Sequence, residues 1–327
     1  MSCSERLIAN GMESGEANVI FDMATGAIKG AGPVQYAGMR AMALAAKTLH
    51  PMDDFGFSYA AKLLRILLPA SKKVVIIFDG ERRFLFPYGD GYWSLLLNRD
   101  HVYEEEIEVF LLAVKDIDYV FIDCGANYGY WSIHVTSEAF GRHPSIAVEA
   151  DAETYSVLQD NWAINSERFT IVRRAVSNSD GETVSVYGKK HEARTILASD
   201  QNKPRAAVNT ISLDTLVESE EFPACEKVIL KLDIEGVEIS ALEGAKKLLK
   251  RDIIVVYEDH GSDRSHAVTD YLMNQVGMRV YGYDHGRFKQ LTSTRELDGL
   301  KKNRRRGYDF FATKSEFWQE KMSELVG

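Results

Sequence analysis

The sequence predicts an α/β fold, a largely parallel sheet with helices on both faces, preceded by an N-terminal α+β region. Two observations predict it. From residue 116 onward, strand-like apolar runs alternate with helix-like segments, the pattern of successive βαβ units. The run Tyr119-Val120-Phe121-Ile122-Asp123-Cys124 then ends in an acid and enters a tight turn, Gly125-Ala126-Asn127-Tyr128-Gly129. Such a run suits a strand buried on both faces, and glycines let the backbone turn sharply beside a ligand.

Residues 1 to about 115 lack the later alternation and read as a separate cap. Ala37 to Leu49 is rich in alanine and methionine, and Tyr59 to Leu68 is apolar at helical spacing until Pro69 stops it. With Lys62 and Arg65, the second segment suits either a membrane surface or packing on a core or second subunit. Val74 to Phe78 and Arg83 to Phe86, joined through Asp79-Gly80, read as a hairpin. Tyr92, Trp93 and Tyr103 cluster next, as core aromatics or as the lining of an acceptor pocket. A helix from about Glu104 to Val114 leads into the core.

Core strands are expected at 119–123, 145–149, 169–174, 228–233 and 252–258, with 279–283 and 307–313 closing the sheet. Helices are expected over Tyr130 to Phe140 and Val237 to Lys250. Thr183 to Tyr187 alternates as an edge strand should, and 189–207 is polar enough to form a loop over the site. The basic run Lys301-Lys302-Asn303-Arg304-Arg305-Arg306 reads as a solvated loop, with an anionic lipid or glycan surface as the alternative.

Ligands of open α/β sheets bind beyond the carboxyl ends of the strands, and those ends are acidic here. Asp123 ends the first strand, Glu149 the second, Asp233 with Glu235 the fourth, and Glu258 with His260 the fifth. A single acid there is ordinary helix capping, but acids at four strand ends together point to a ligand. The Gly-x-x-x-Gly spacing lacks the dinucleotide fingerprint, and Asp123 would repel phosphates, so an NAD-linked oxidoreductase is disfavoured. Glu149 suits two ribose hydroxyls. The early Asp123 suits S-adenosylmethionine, which carries an ammonium and a sulfonium and no phosphate. Lys231, Asp233 and Glu235 are spaced two apart and would share one side of an extended segment.

Three motifs make the chain resemble the FkbM family of S-adenosylmethionine-dependent methyltransferases. They are Phe121 to Tyr130, Val148-Glu149-Ala150-Asp151 leading to Asn161, and Lys231 to Glu238 with Gly244; Thr210 to Asp214 adds a fourth similarity. The resemblance covers roughly 100 to 260. It implies a Rossmann-like class I methyltransferase sheet of seven strands, the last antiparallel, within a domain 116–327 that follows an N-terminal cap, 1–115, for substrate or dimerisation. It further implies that Asp123, Gly125, Asn127 and Gly129 cradle the methionine end of the cofactor, that Glu149 holds the ribose, and that Asp233 and Glu235 face the sulfonium and the acceptor. The expected reaction is O-methyl transfer to a hydroxyl of a sugar, glycan or natural product. N-methyl transfer and a non-catalytic binding module are the alternatives. Asp233, Glu235, Glu258 and His260 are the candidate proton acceptors. Their spacing would also admit a divalent metal, although none is expected.

A formal net charge of −9 argues against a nucleic-acid partner held by bulk electrostatics. Three cysteines, Cys3, Cys124 and Cys225, form no Cys-x-x-Cys pair and suit a reducing compartment. The polar N-terminus and the absence of a run of about 18 apolar residues point to a cytoplasmic protein. A peripheral membrane contact and a homo-oligomer are both compatible with the sequence.

Overall fold

The computed structural model describes residues 18–188, 191, 194–196, 204–220 and 222–326. The N-terminal segment with Cys3 lies outside them, as do positions 189–190, 192–193 and 197–203 of the expected loop. The chain divides into two compact units, one of residues 1–103 and 156–168, the other of residues 104–155 and 169–327.

The first unit holds a four-stranded sheet in the order β2-β1-β3-β4, made of β1 (Val19–Asp22), β2 (Ile28–Lys29), β3 (Val74–Ile77) and β4 (Arg83–Phe86). The expected hairpin is the antiparallel pair β3–β4. Asp79 shapes its turn by accepting the N–H groups of Glu81 and Arg82, each at 2.8 Å. The expected helices run over Pro33–Leu49 and Phe57–Leu67. The aromatic cluster includes core: Trp93 is buried, with its ring 4.6 Å from that of Phe84, and Tyr92 donates to the Tyr103 hydroxyl or accepts from it at 3.0 Å.

Strand β4 is the sheet's last strand, and its outer edge is closed by two asparagines. Asn161 and Asn165 lie one turn apart, and each side chain bonds both backbone groups of a β4 residue. Asn161 accepts from Leu85 N at 2.7 Å and donates to Leu85 O at 2.8 Å. Asn165 does the same for Arg83, at 3.1 and 2.7 Å. Residues i and i+4 of a helix thereby meet residues i and i+2 of a strand, and two side-chain amides replace a fifth strand.

The second unit is built on an eight-stranded sheet, order β14-β13-β15-β12-β11-β5-β6-β7. Its strands are β5 (Val120–Cys124), β6 (Ser145–Val148), β7 (Thr170–Val172), β11 (Lys227–Leu232), β12 (Asp252–Glu258), β13 (Arg279–Asp284), β14 (Arg287–Leu291) and β15 (Asp309–Thr313). β5, β6, β7, β11 and β12 run parallel, while the last strand, β15, inserts antiparallel between β12 and β13. This is the Rossmann-like class I methyltransferase order, with β14 as an eighth strand beyond the expected seven. β14 arises because His285 (φ +50°) and Gly286 (φ +82°) make a two-residue hairpin turn with both central residues left-handed. Its exposed charges, Arg287 and Lys289, hid it among loop residues. A separate three-stranded sheet, β8-β10-β9, pairs β8 (Ala175–Val176) and β10 (Ala207–Ile211) with the expected edge strand, β9 (Thr183–Ser185).

Two expected helices are shorter than their apolar spacing suggested. The helix from Tyr130 stops at Val135, where Thr136 Oγ1 bonds back to Ser132 O at 2.8 Å, and a 3₁₀ turn covers Glu138–Phe140. The helix from Glu238 stops at Glu243. There a Cβ on Gly244 would lie 2.4 Å from Ser177 O, and Asp214 accepts the N–H groups of Lys247 and Leu248 to start a new turn.

Candidate active site

The carboxyl ends of β5, β6, β11 and β12 bring together most of the residues singled out in the sequence. β5 delivers Asp123 into the core, where its Oδ2 accepts from Ser132 Oγ at 2.9 Å. Burial pushes its pKa up, against the opposing pull of Lys231. The glycine turn follows with Gly125 at φ +79°, Asn127 at +51° and Gly129 at +84°. Gly125 is required twice over, by its left-handed backbone and because a Cβ would sit 1.8 Å from Asp233 O. Gly125 N and Ala126 N both donate to Val148 O, at 3.0 and 3.1 Å, which ties the turn to the end of β6.

Glu149, just past β6, is buried and accepts from Asn127 N at 3.1 Å and Asp151 N at 2.8 Å. Burial outweighs those bonds and pushes its pKa up to about 7. Asp151 starts the helix Ala152–Ile164 by accepting from Glu153 N and Thr154 N, each at 3.0 Å, and it pairs with Arg194 and Arg205. The described part of the 189–207 segment also reaches the glycine turn. His191 stacks on Tyr128 with ring centroids 4.7 Å apart, and Asn127 Nδ2 donates to His191 O at 3.2 Å.

The second half of the site is a carboxylate cluster. β11 ends at Leu232 and Glu235 turns left-handed at φ +52°, so the extended register expected through Glu235 stops three residues earlier. That turn, three residues past the end of β11, brings Asp233 and Glu235 to Glu258, with carboxylate oxygens of all three within 4.8 Å of one another. Burial, then the charges of Asp233, Asp309 and Glu235, hold Glu258 well above the usual carboxylate range. A Cβ on Gly307 would lie 1.4 Å from Glu258 Oε1, so glycine there makes room for the carboxyl. Lys231 Nζ stands 2.9 Å from Asp233 Oδ2 and 3.8 Å from Glu104 Oε2. Burial would strip Lys231 of its proton, but Asp233, Glu104, Asp309 and Asp123 together hold its pKa well above the ordinary value.

His260 is the candidate that the structure leaves outside this cluster. It is exposed, and its Nδ1 accepts from Ser262 N at 3.1 Å and lies 2.6 Å from Ser262 Oγ. Two acids of the site escaped sequence reasoning. Glu104, which accepts from Trp131 Nε1 at 2.6 Å, precedes a helix far from the motifs. Asp309 faces Glu258 across the antiparallel β12–β15 pair and is likewise pushed far up by burial and by Glu104. Only the pairing of the last strand with the fifth could have revealed it.

The basic run 301–306 is not a solvated loop throughout. Lys301 is fully buried, paired with Asp259, and donates to Asp263 O at 2.6 Å with His266 Nδ1 at 3.0 Å.

Residues 123–284 match the Methyltransferase FkbM domain. The chain carries an FkbM methyltransferase domain. Over 194 residues it is 28% identical to the hexuronic acid methyltransferase AglP of Haloferax volcanii, spanning 58% of this chain and 75% of that relative. Among solved structures it is similar to the methyltransferase FkbM of Methylobacillus flagellatus KT, with 15% identity and a TM-score of 0.37 over 60% of this chain. That match spans 43% of the Methylobacillus chain. It is also similar to a precorrin-6y C5,15-methyltransferase of Geobacter metallireducens GS-15, at 14% identity and a TM-score of 0.37, over 66% of this chain and 91% of that one.

Proposed function

We propose that the FkbM domain of this protein uses S-adenosylmethionine to methylate a hydroxyl of a sugar or glycan. The observation that carries the reading is that the glycine turn holding Glu149 packs directly against Asp233, whose N–H donates to Cys124 O at 3.0 Å. Glu149 sits on the glycine turn, and Asp233, Glu235 and Glu258 crowd the ends of β11 and β12. The residues suit the cofactor. The Glu149 carboxylate receives two backbone N–H groups, and its four lone-pair sites leave room for ribose hydroxyls. Gly125 and Gly129 keep side-chain bulk and strain away from the bend where the methionine end would lie, Asn127 is among the residue types that tolerate its left-handed backbone, and Asp123 is held beside that bend by Ser132.

S-adenosylmethionine, when bound, supplies an electrophilic methyl on sulfur. The protein's task is to align the acceptor oxygen and to take its proton. Asp233, held by Lys231 and hydrogen-bonded to Glu258, is our proton acceptor; Glu258, whose burial favours its protonated form, orients it, and Glu235 faces the acceptor. The Asp233–Glu258 pair would take the hydroxyl proton as the acceptor oxygen receives the methyl of the bound donor. The similarity to a hexuronic acid methyltransferase supports a sugar acceptor. Residues 1–115 are the proposed acceptor-binding or dimer-forming region.

Calorimetric titration with S-adenosylmethionine, S-adenosylhomocysteine and NAD tests the cofactor. Micromolar binding of the first two and none of NAD is expected. Incubation with ¹³C-methyl donor and a panel of uronic-acid and neutral glycosides tests the chemistry. A new O-methyl carbon signal is expected; an N-methyl signal from amine acceptors alone, or binding without turnover on any acceptor, would refute O-methyl transfer.

A further inference from the structure

We propose that the helical face of the N-terminal unit is a docking surface for an anionic lipid bilayer. The helix Phe57–Leu67 is apolar on two opposite sides. Phe57 and Ala61 are buried, while Tyr59, Leu63, Ile66 and Leu67 are between 56% and 79% exposed. At about 100° per residue the four exposed side chains fall within roughly a third of the helix circumference, opposite the buried pair. Phe55 and Met52, just before this helix, are also exposed, and so are Tyr36 and Leu44 on the neighbouring helix Pro33–Leu49. Scattered exposed hydrophobics are ordinary, but a continuous stripe of large side chains marks an interaction surface.

Charge selects the occupant. The two helices carry Arg40, Lys47, Lys62 and Arg65, all exposed, and no acid, in a chain with a net charge of −9. Lys47 shares its charge with Asp100 at 3.4 Å, and Asp53 and Asp54 lie in the connection between the helices. Arg65 lays its stem against Gly89, the arrangement by which a long cation covers apolar surface and keeps its head outside. A second copy seated face to face would set cations against cations, which disfavours self-association. A bilayer offers both requirements at once, acyl chains for the apolar stripe and anionic headgroups for the basic residues. Among the described residues no helix is long and apolar enough to cross a membrane, so the contact is peripheral.

The test is co-sedimentation of the full chain with vesicles of phosphatidylcholine alone and of phosphatidylcholine with one-quarter phosphatidylglycerol. Pelleting with the anionic vesicles only, weakened at high salt, is expected. Lys62→Glu with Arg65→Glu should lower vesicle affinity more than tenfold, at about fivefold for each charge removed. Leu63→Asp with Ile66→Asp should abolish pelleting. Both pairs lie on the surface, and circular dichroism together with unchanged S-adenosylmethionine affinity would show intact folding. Failure to pellet with either vesicle, or equal pelleting by wild type and variants, would overturn the proposal. So would a dimer in sedimentation equilibrium that Ile66→Asp dissociates. None of these outcomes depends on methyl transfer, so the catalytic reading is tested separately.

Discussion

Glu149 shows how one buried carboxylate can tie cofactor affinity to pH. With its pKa pushed up to about 7, it is largely protonated in mildly acidic solution and ionised above neutrality. Ribose hydroxyls donate best to the ionised form, so affinity for S-adenosylmethionine should tighten as pH rises from 6 to 8, as calorimetry can follow. Glu149→Gln should flatten that profile and weaken binding about 10- to 100-fold, the worth of one or two bonds to a charged group. Glu258 predicts the opposite split. Glu258→Gln keeps the carboxyl's shape but removes the exchangeable proton shared with Asp233, so turnover should fall about 100-fold with cofactor affinity nearly unchanged. Steady-state kinetics beside a binding isotherm would separate these effects, and equal turnover would show that Glu258 takes no part in the proton transfer. Glu149 and Asp233 were legible in the sequence because each follows an apolar run, broken before Asp233 only by Lys231. Glu104 and Asp309 were not, because their place in the site depends on distant pairings.

At the scale of elements, side chains do work usually left to backbone. Asn161 was visible in the sequence only as part of a motif, and the structure shows its task, bonding both backbone groups of Leu85 on the outer edge of β4. Asn161→Ala would leave a buried N–H and a carbonyl unpaired. A loss of about 2–4 kcal/mol in urea denaturation is expected, with faster amide exchange in β4. Unchanged exchange there would mean that water replaces the amide without cost. The link Asp259–Lys301 is a second such device, since Thr269 also donates to Asp259 at 2.9 Å and Tyr257 OH lies 2.9 Å from Thr269 Oγ1. Lys301→Ala strands a buried carboxylate and should cost about 3–5 kcal/mol. Replacing Lys301 and Asp259 together by apolar residues should cost less, which thermal denaturation of the three variants would reveal. The sequence hid this pair because Lys301 stands in a run of cations whose other members are mostly exposed.

For the whole molecule, the acids at the strand ends set a pH dependence of stability. Asp123, Glu149, Glu258 and Asp309 all have folded pKa values raised by burial, so between the ordinary carboxylate range and those raised values the folded chain binds more protons than the unfolded one. Their contribution is fully present at low pH and is lost as pH rises through that window. For Glu149 alone the window runs from 4.5 to about 7 and is worth roughly 3 kcal/mol at 1.36 kcal/mol per unit. The melting temperature should therefore fall between pH 5 and 7.5, and Glu149→Gln should lessen the fall. A rising melting temperature across that range would show these acids ionised at the lower pH. By itself the sequence determined the alternation of strands and helices, the glycine turn and the acids that close four strands, because those depend on local periodicity and on residues adjacent in the chain. Only the tertiary structure decided the eighth strand, the asparagine-sealed edge, the seat of Lys301 and the convergence of Glu104 and Asp309 on Lys231 and Glu258. Each depends on which strand pairs with which, and on burial that turns an ordinary charge into a perturbed one, and neither is written in the spacing of residues along the chain.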